Sequence, residues 1–136
     1  MSKRAVIATS TSCLDYLDIH SPHLKILRMK IIMNDTSYDD FIDITAEQFY
    51  HQLKTDTTLV PTSSMPSPGE LLELLDELQA DGYDEVFIIT VSSQLSGTFG
   101  VCKMAINQYE GPLRIHVIDS KNAAISEGWL SLETLR

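Results

Sequence analysis

Basic residues are scarce in this sequence. Ten Lys and Arg stand against nineteen Asp and Glu in 136 residues, a formal net charge of −9. A nucleic-acid binder needs a basic face to neutralise phosphates, so that class is excluded, and docking on anionic membrane is disfavoured. Cysteine is scarcer still: Cys13 and Cys102 stand alone, without Cys-x-x-Cys spacing. That pattern offers neither a disulfide framework nor a zinc site, and in a reducing compartment both are ordinary thiols. No uninterrupted apolar run approaches the ~20 residues of a membrane span. The basic pair Lys3-Arg4 is followed by only four apolar residues before Thr9, too short for a signal-peptide core. A cytoplasmic protein without a membrane span is expected.

Catalytic signatures are also missing. There is no Walker loop, no Gly-x-Gly-x-x-Gly and no Gly-x-Ser-x-Gly elbow. His20, His23, His51 and His116 form no pair at the i, i+4 spacing of a helical metal site. Asp39, Asp40 and Asp43 lack calcium-loop spacing and read as a solvated loop. No metal and no cofactor are expected.

What is present is an ordinary globular composition, 43% hydrophobic and 21% charged, of a length that suits one domain with one core. Residues 4–9 are a short apolar run ending in hydroxyls, a buried first strand. Residues 24–33 alternate, with Leu27, Met29, Ile31 and Met33 on the more apolar side, and read as one half-buried strand. Asn34-Asp35-Thr36-Ser37 is a turn signal. Thr45 and Gln48 form a capping box for a helix that carries Phe49 and Leu53 on one face. Residues 55–67 have no period and read as a loop rich in Thr, Ser and Pro.

Ser67-Pro68-Gly69-Glu70 is the clearest local signal: an N-cap, a proline in the first helical position and a box-closing glutamate. Leu71, Leu74, Leu75 and Leu78 then line one face, and Asp81-Gly82 ends the helix. Residues 85–91 are a continuous apolar strand, as in a parallel sheet covered on both faces. A helix is expected from about Gly97 to Tyr109 with Val101, Cys102 and Ala105 inward. A strand over 113–118 follows, then a helix from about Asn122. Strands alternating with helices imply an α/β fold with a mainly parallel sheet flanked by helices. The last helix meets no stop signal before Leu135-Arg136, so either the protein ends there or this is one domain of a longer protein.

In open α/β sheets, ligands bind outside the carboxyl ends of the strands. Three loops lie at such ends: residues 9–12, residues 92–98 (Ser92-Ser93-Gln94-Leu95-Ser96-Gly97-Thr98) and residues 119–121. All are rich in hydroxyls, as is Thr62-Ser63-Ser64-Met65-Pro66-Ser67. Two of the clusters lead into helix amino ends, where free amides favour an anion. Ser and Thr at a helix start are ordinarily caps. Several converging at one sheet edge make an anion site instead. Hydroxyls can donate to a carboxylate or phosphate without adding a charge, and a mainly hydroxyl-and-amide site suits a carboxylate whose tail needs an apolar tunnel. An alternative is a phosphoryl- or acyl-transfer enzyme using the 92–98 loop as an anion cradle, with Asp119 the one general base that a strand end offers. A third reading is a subunit whose sheet edge serves protein contact.

These motifs resemble the DegV family of bacterial fatty-acid-binding proteins. Pro61-Thr62-Ser63-Ser64-Met65-Pro66-Ser67-Pro68 is similar to that family's Pro-Thr-Thr-Ser-Gln-Pro-Ser-Pro. Ser92-Ser93-Gln94-Leu95-Ser96-Gly97-Thr98-Phe99 is similar to its Ser-Ser-x-Leu-Ser-Gly-Thr-Tyr. His116-Val117-Ile118-Asp119-Ser120-Lys121 with Ala123-Ala124, and Asp43-Ile44-Thr45 with Phe49-Tyr50, extend the likeness from about Ala5 to the end. The sequence departs where Thr9 replaces the aspartate of Asp-Ser-Thr, where Cys13 stands at a commonly acidic position and where Met65 replaces Gln. The resemblance implies that residues 1–136 are the amino-terminal lipid-binding domain of a two-domain architecture. It implies a long-chain fatty acid whose carboxylate is held by Ser63 and Ser96 first and by Thr62 and Ser93 next. It further implies a carrier without catalysis of its own, which presents the acid to a fatty-acid kinase.

Overall fold

The apolar run after Arg4 forms β1 (Arg4–Thr9), whose last five residues are all buried. The structure, a computed structural model, describes residues 2–136. β1 lies inside a four-stranded parallel sheet of order β2-β1-β6-β7, with β2 (Leu24–Leu27), β6 (Glu85–Thr90) and β7 (Arg114–Asp119). The central strands β1 and β6 are apolar on both faces because both are covered, while the edge strands β2 and β7 are partly exposed. A second, antiparallel sheet of order β4-β3-β5 joins β3 (Lys30–Met33), β4 (Thr36–Asp39) and β5 (Thr62–Ser64).

The expected strand over 24–33 is therefore two strands in two sheets. Arg28 and Met29 make the switch. The Arg28 guanidinium grips Asp15 with two bonds of 2.9 and 3.0 Å and donates to the Asp40 carbonyl at 3.0 Å. The Met29 amide donates to Ser10 Oγ at 2.9 Å, which takes it out of the parallel ladder. The turn expected over 34–37 is tighter than that. Asn34 and Asp35 alone turn, both left-handed (φ 49° and 63°), as a two-residue hairpin demands, and Thr36 already pairs with Met33 in β4. Thr62, Ser63 and Ser64 lie in the stretch read as loop, but they pair with Ile32, Ile31 and Lys30.

The helices follow their local signals. α1 (Ala46–Thr55) carries the Thr45–Gln48 capping box, yet buries no residue of its own. α2 (Pro68–Ala80) carries the Ser67–Glu70 box with Pro68 in its first turn, and buries Leu71, Leu75 and Leu78. α3 (Thr98–Gln108) buries Cys102 and Ala105, while Val101 is only half-buried. These α2 and α3 side chains form the core with Ala5, Ile7, Leu27, Val86 and Ile88. α4 (Ile125–Leu135) starts three residues later than expected. It packs on β1, β6 and the turn at residues 10–12. No helix among the described residues is long and apolar enough to cross a membrane.

The chain runs from β1 to β2 on one side and later adds β6 on the other side of β1. The sheet thus reverses direction between β1 and β6, and such a switch point opens a crevice at the carboxyl ends of the two strands. The 9–12, 92–98 and 119–121 loops all leave the sheet at that end.

Candidate functional site

β5 brings the 61–68 segment to the 92–98 loop. Gly97 has no side chain, and Met65 fills the space: a Cβ there would lie 2.6 Å from the Met65 sulfur. Beside it, Thr98 Oγ1 lies 3.7 Å from the sulfur of Met29, which precedes β3. Two thioethers from the small sheet therefore cover the amino end of α3. Lys30, paired across β3 and β5 with Ser64, has its ammonium on Glu70 (2.6 Å) and Asp39. Both carboxylates hold that ammonium above its ordinary pKa, the Asp39 hydrogen bond most of all.

Of the residues singled out from sequence, Thr62 and Ser63 are exposed on β5. Among the described residues, of the three β5 hydroxyls only that of Ser64 has a protein partner, the Met65 carbonyl at 3.3 Å. A shallow cavity of about 280 Å³ opens beside them, lined by Ile31, Phe49, Pro61, Thr62 and Ser63. It is slightly smaller than the roughly 300–1,000 Å³ of small-molecule sites, and it is open on one side. Larger depressions of 450 and 470 Å³ lie over α1 and at the amino edge of the parallel sheet; neither borders a hydroxyl loop.

Ser96 is half-buried. Its oxygen accepts from the Thr98 amide at 3.2 Å and lies 2.9 Å from Thr98 Oγ1, so it satisfies the first free amide of α3, whose N-cap position is Gly97. Ser93 donates to Asp119 Oδ2 at 2.5 Å, and its amide reaches Oδ1 at 3.2 Å. No hydrogen bond among the described residues joins Ser63 to Ser96; the loops meet through Met65 and Gly97. Ser93 hydrogen-bonding, followed by the Lys121 amide at 2.9 Å, holds the Asp119 carboxyl below the usual carboxylate range. A carboxylate so held is a poor general base at neutral pH, which weakens the transfer-enzyme alternative.

The first hydroxyl loop is engaged internally. Ser10 Oγ takes the Met29 amide, and Ser12 Oγ takes the Leu14 amide at 3.4 Å. Thr9 and Thr11 both donate to Glu127 of α4, Thr11 at 3.0 and 3.2 Å. Glu127 is fully buried, and burial pushes its carboxyl up while the two threonines offset part of that. Sequence reasoning missed this residue. The available signal was a glutamate one turn into an apolar helix beside Gly128, where α4 crosses β1. The loop at 119–121 is likewise closed on itself, with Ser120 Oγ donating to the Asn122 carbonyl at 3.2 Å.

The histidines serve structure: His23 Nδ1 lies 2.7 Å from the Tyr83 hydroxyl, and His116 Nε2 lies 2.8 Å from Glu85. Asp39 holds Lys30, and Asp43 accepts the Asp39 amide at 2.8 Å.

A family model described as "Uncharacterised protein, DegV family" matches residues 3–136. A DegV domain-containing protein of Clostridium acetobutylicum is 34% identical over 128 residues, 94% of this chain and 44% of its own length. One of Clostridium perfringens is 36% identical over 121 residues, 89% of this chain and 42% of its own. The chain thus spans less than half the length of these curated relatives. Among solved structures, DegV, a fatty acid binding protein from Bacillus subtilis, matches with a TM-score of 0.83 at 25% identity, over 97% of this chain and 46% of that one. A stearic acid-binding protein from Eubacterium ventriosum matches with a TM-score of 0.80 at 23% identity, over 100% and 47%, and shares the fold.

Proposed function

The chain belongs to the DegV family, and from that premise we propose that it binds a long-chain fatty acid by its carboxylate. One observation carries the reading. The 61–68 and 92–98 segments meet at Met65 and Gly97, and on the adjoining β5 Thr62 and Ser63 line an apolar hollow, their hydroxyls without a hydrogen-bond partner among the described residues. Ser63 and Ser96 are the first donors to the carboxylate, with Thr62 and Ser93 flanking. Ile31, Phe49 and Pro61 begin the path of the acyl chain. Lys30 is committed to Asp39 and Glu70 and is not free to receive the head group.

Residues 1–136 act in this reading as an amino-terminal lipid-binding domain, with the other wall of the tunnel supplied by a second domain. The protein is a cytoplasmic carrier that presents the acid to a separate fatty-acid kinase and does no chemistry itself. Organic extraction of the purified protein followed by mass spectrometry tests it. A co-purifying acyl chain is expected. Protein without one, which also fails to take up added palmitate, overturns the reading.

A further inference from the structure

The switch point between β1 and β6 is where an open α/β sheet takes a ligand. On the β1 side of that crevice, the hydroxyls of Thr9 and Thr11 are turned onto a carboxylate of the chain's own, Glu127. The two hydroxyl oxygens lie 2.7 Å apart and converge on this one group. No cation shares the site. The next residue, Gly128, lets the α4 backbone approach so closely that a Cβ there would lie 2.5 Å from the Ser12 carbonyl oxygen. The buried face of α4 consists of Glu127, Gly128 and Ser131, so it contains no large apolar side chain. Glu127 is the one buried side chain of that face that hydrogen-bonds to the Thr9–Thr11 pair.

The start of α4 is tied in turn to the candidate site. Asn122 accepts the Ser92 amide on its carbonyl at 2.8 Å, and Asp119 holds the Ser93 amide and hydroxyl. Between this link and the helix, Lys121 (φ 57°) and Ala124 (φ 53°, ψ −134°) hold left-handed backbone that non-glycine residues avoid. α4 has no side-chain cap to fix its first turn. A strained connection persists only where the surrounding contacts over-determine it. Here those contacts are the Ser92–Asn122 bond at one end and the Glu127 clamp at the other.

We propose that Glu127 is a positioning residue: by clamping α4 to Thr9 and Thr11, it holds residues 119–124 and through them the Ser92–Ser93 end of the carboxylate-binding loop. The coupling depends on proton uptake by Glu127. The clamp closes more tightly on the neutral acid, because burying the ionised form costs desolvation. It loosens as pH rises through the raised value. Among the described residues no other titratable group intervenes. Arg4 and Glu85 pair with each other at the far ends of β1 and β6, at 2.9 Å. The turn at 10–12 carries no charge; Cys13 beyond it points its thiol at the Thr11 carbonyl, and Asp15 is bound to Arg28. Glu133 and Arg136 pair at the other end of α4, at 3.3 Å. The identity of the ligand rests on the proposed fatty-acid reading; the coupling of Glu127 to Ser92 does not.

Amide hydrogen exchange of the ligand-free protein between pH 5 and pH 8 tests it, read as the protection factor of the Ser92 amide. In Glu127→Ala that factor should fall by up to about tenfold, the upper worth of one lost hydrogen bond between neutral groups. Glu127→Gln should keep it. Wild-type protection should decline with rising pH, and that of Glu127→Gln should stay flat. Thr11→Val, which keeps the volume and removes one donor, should lower it part-way, and it serves if the alanine variant does not fold. Wild-type protection of Ser92 in Glu127→Ala and Thr11→Val, or the same pH profile in wild type and Glu127→Gln, overturns the inference. Palmitate titration of the wild type, run alongside, separates the two readings. Absent binding with a responsive Ser92 amide removes the fatty acid and keeps the coupling; binding with an indifferent amide does the reverse.

Discussion

Replacing Ser63 and Ser96 by alanine, one at a time, should separate ligand binding from folding. The Ser63 hydroxyl is exposed on β5 and has no partner among the described residues. Its removal should leave stability within about 0.5 kcal/mol of wild type, as for surface positions without such partners. Its proposed role is to donate to a carboxylate. A lost hydrogen bond to a charged group is worth about 1.5–3 kcal/mol, so palmitate affinity should fall roughly 10- to 150-fold. Ser96 does two jobs. It accepts the Thr98 amide at 3.2 Å at the start of α3. Ser96→Ala should therefore lose the same order of affinity and also about 1 kcal/mol of stability, the net worth of one intramolecular hydrogen bond. For a domain of this size that is a fall of about 4 °C in Tm. Calorimetric titration with palmitate gives the first quantity and a thermal melt gives the second. Two variants that bind palmitate like wild type remove both loops from the site. A Tm that falls equally in both refutes the distinction drawn between a free hydroxyl and one that holds the Thr98 amide.

Glu127→Gln should be more stable than wild type at pH 8, with the gap closing toward pH 4. The folded-state pKa of Glu127 is raised, so its contribution is fully present below the unfolded value and is lost as pH rises through the folded one. Urea melts across that range check the sign. Gly128→Ala should destabilise, by about 1–3 kcal/mol for overpacking against the Ser12 carbonyl. Gly100→Ala, in α3 with open space around it, should stabilise by about 0.5–1 kcal/mol. Equal signs in the two melts would refute the close approach of α4 to the 10–12 turn. Gly97→Ala pushes Met65 aside, and since Met65 is 43% exposed it can swing out at little cost in Tm. Palmitate affinity should nonetheless fall, and a Met65→Ala background should remove that effect; additive losses in the double-mutant cycle would sink the contact.

The helix starts and the central strands of this protein are written in neighbouring residues. Thr45 with Gln48, and Ser67 with Pro68 and Glu70, cap their helices as their spacing predicts, because each bond spans three residues and needs nothing from elsewhere. The apolar run at 85–90 needs only to be buried, and any parallel sheet will bury it. The two hydroxyl motifs could be read as motifs, and the family with them. What their hydroxyls do could not. Arg28 and Met29 break one alternating stretch into strands of two sheets because Asp15 and Ser10, more than ten residues away, capture a guanidinium and an amide. Thr62, Ser63 and Ser64 form a strand only because β3 lies beside them. The 9–12 loop has the same hydroxyl-rich composition as the 62–67 and 92–98 segments, yet a glutamate 116 positions after Thr11 engages its threonines. A side chain's type sets which bonds it can make, but only the folded chain decides which partner reaches it first. Tertiary structure therefore left Ser63 open and filled the Thr9–Thr11 pair.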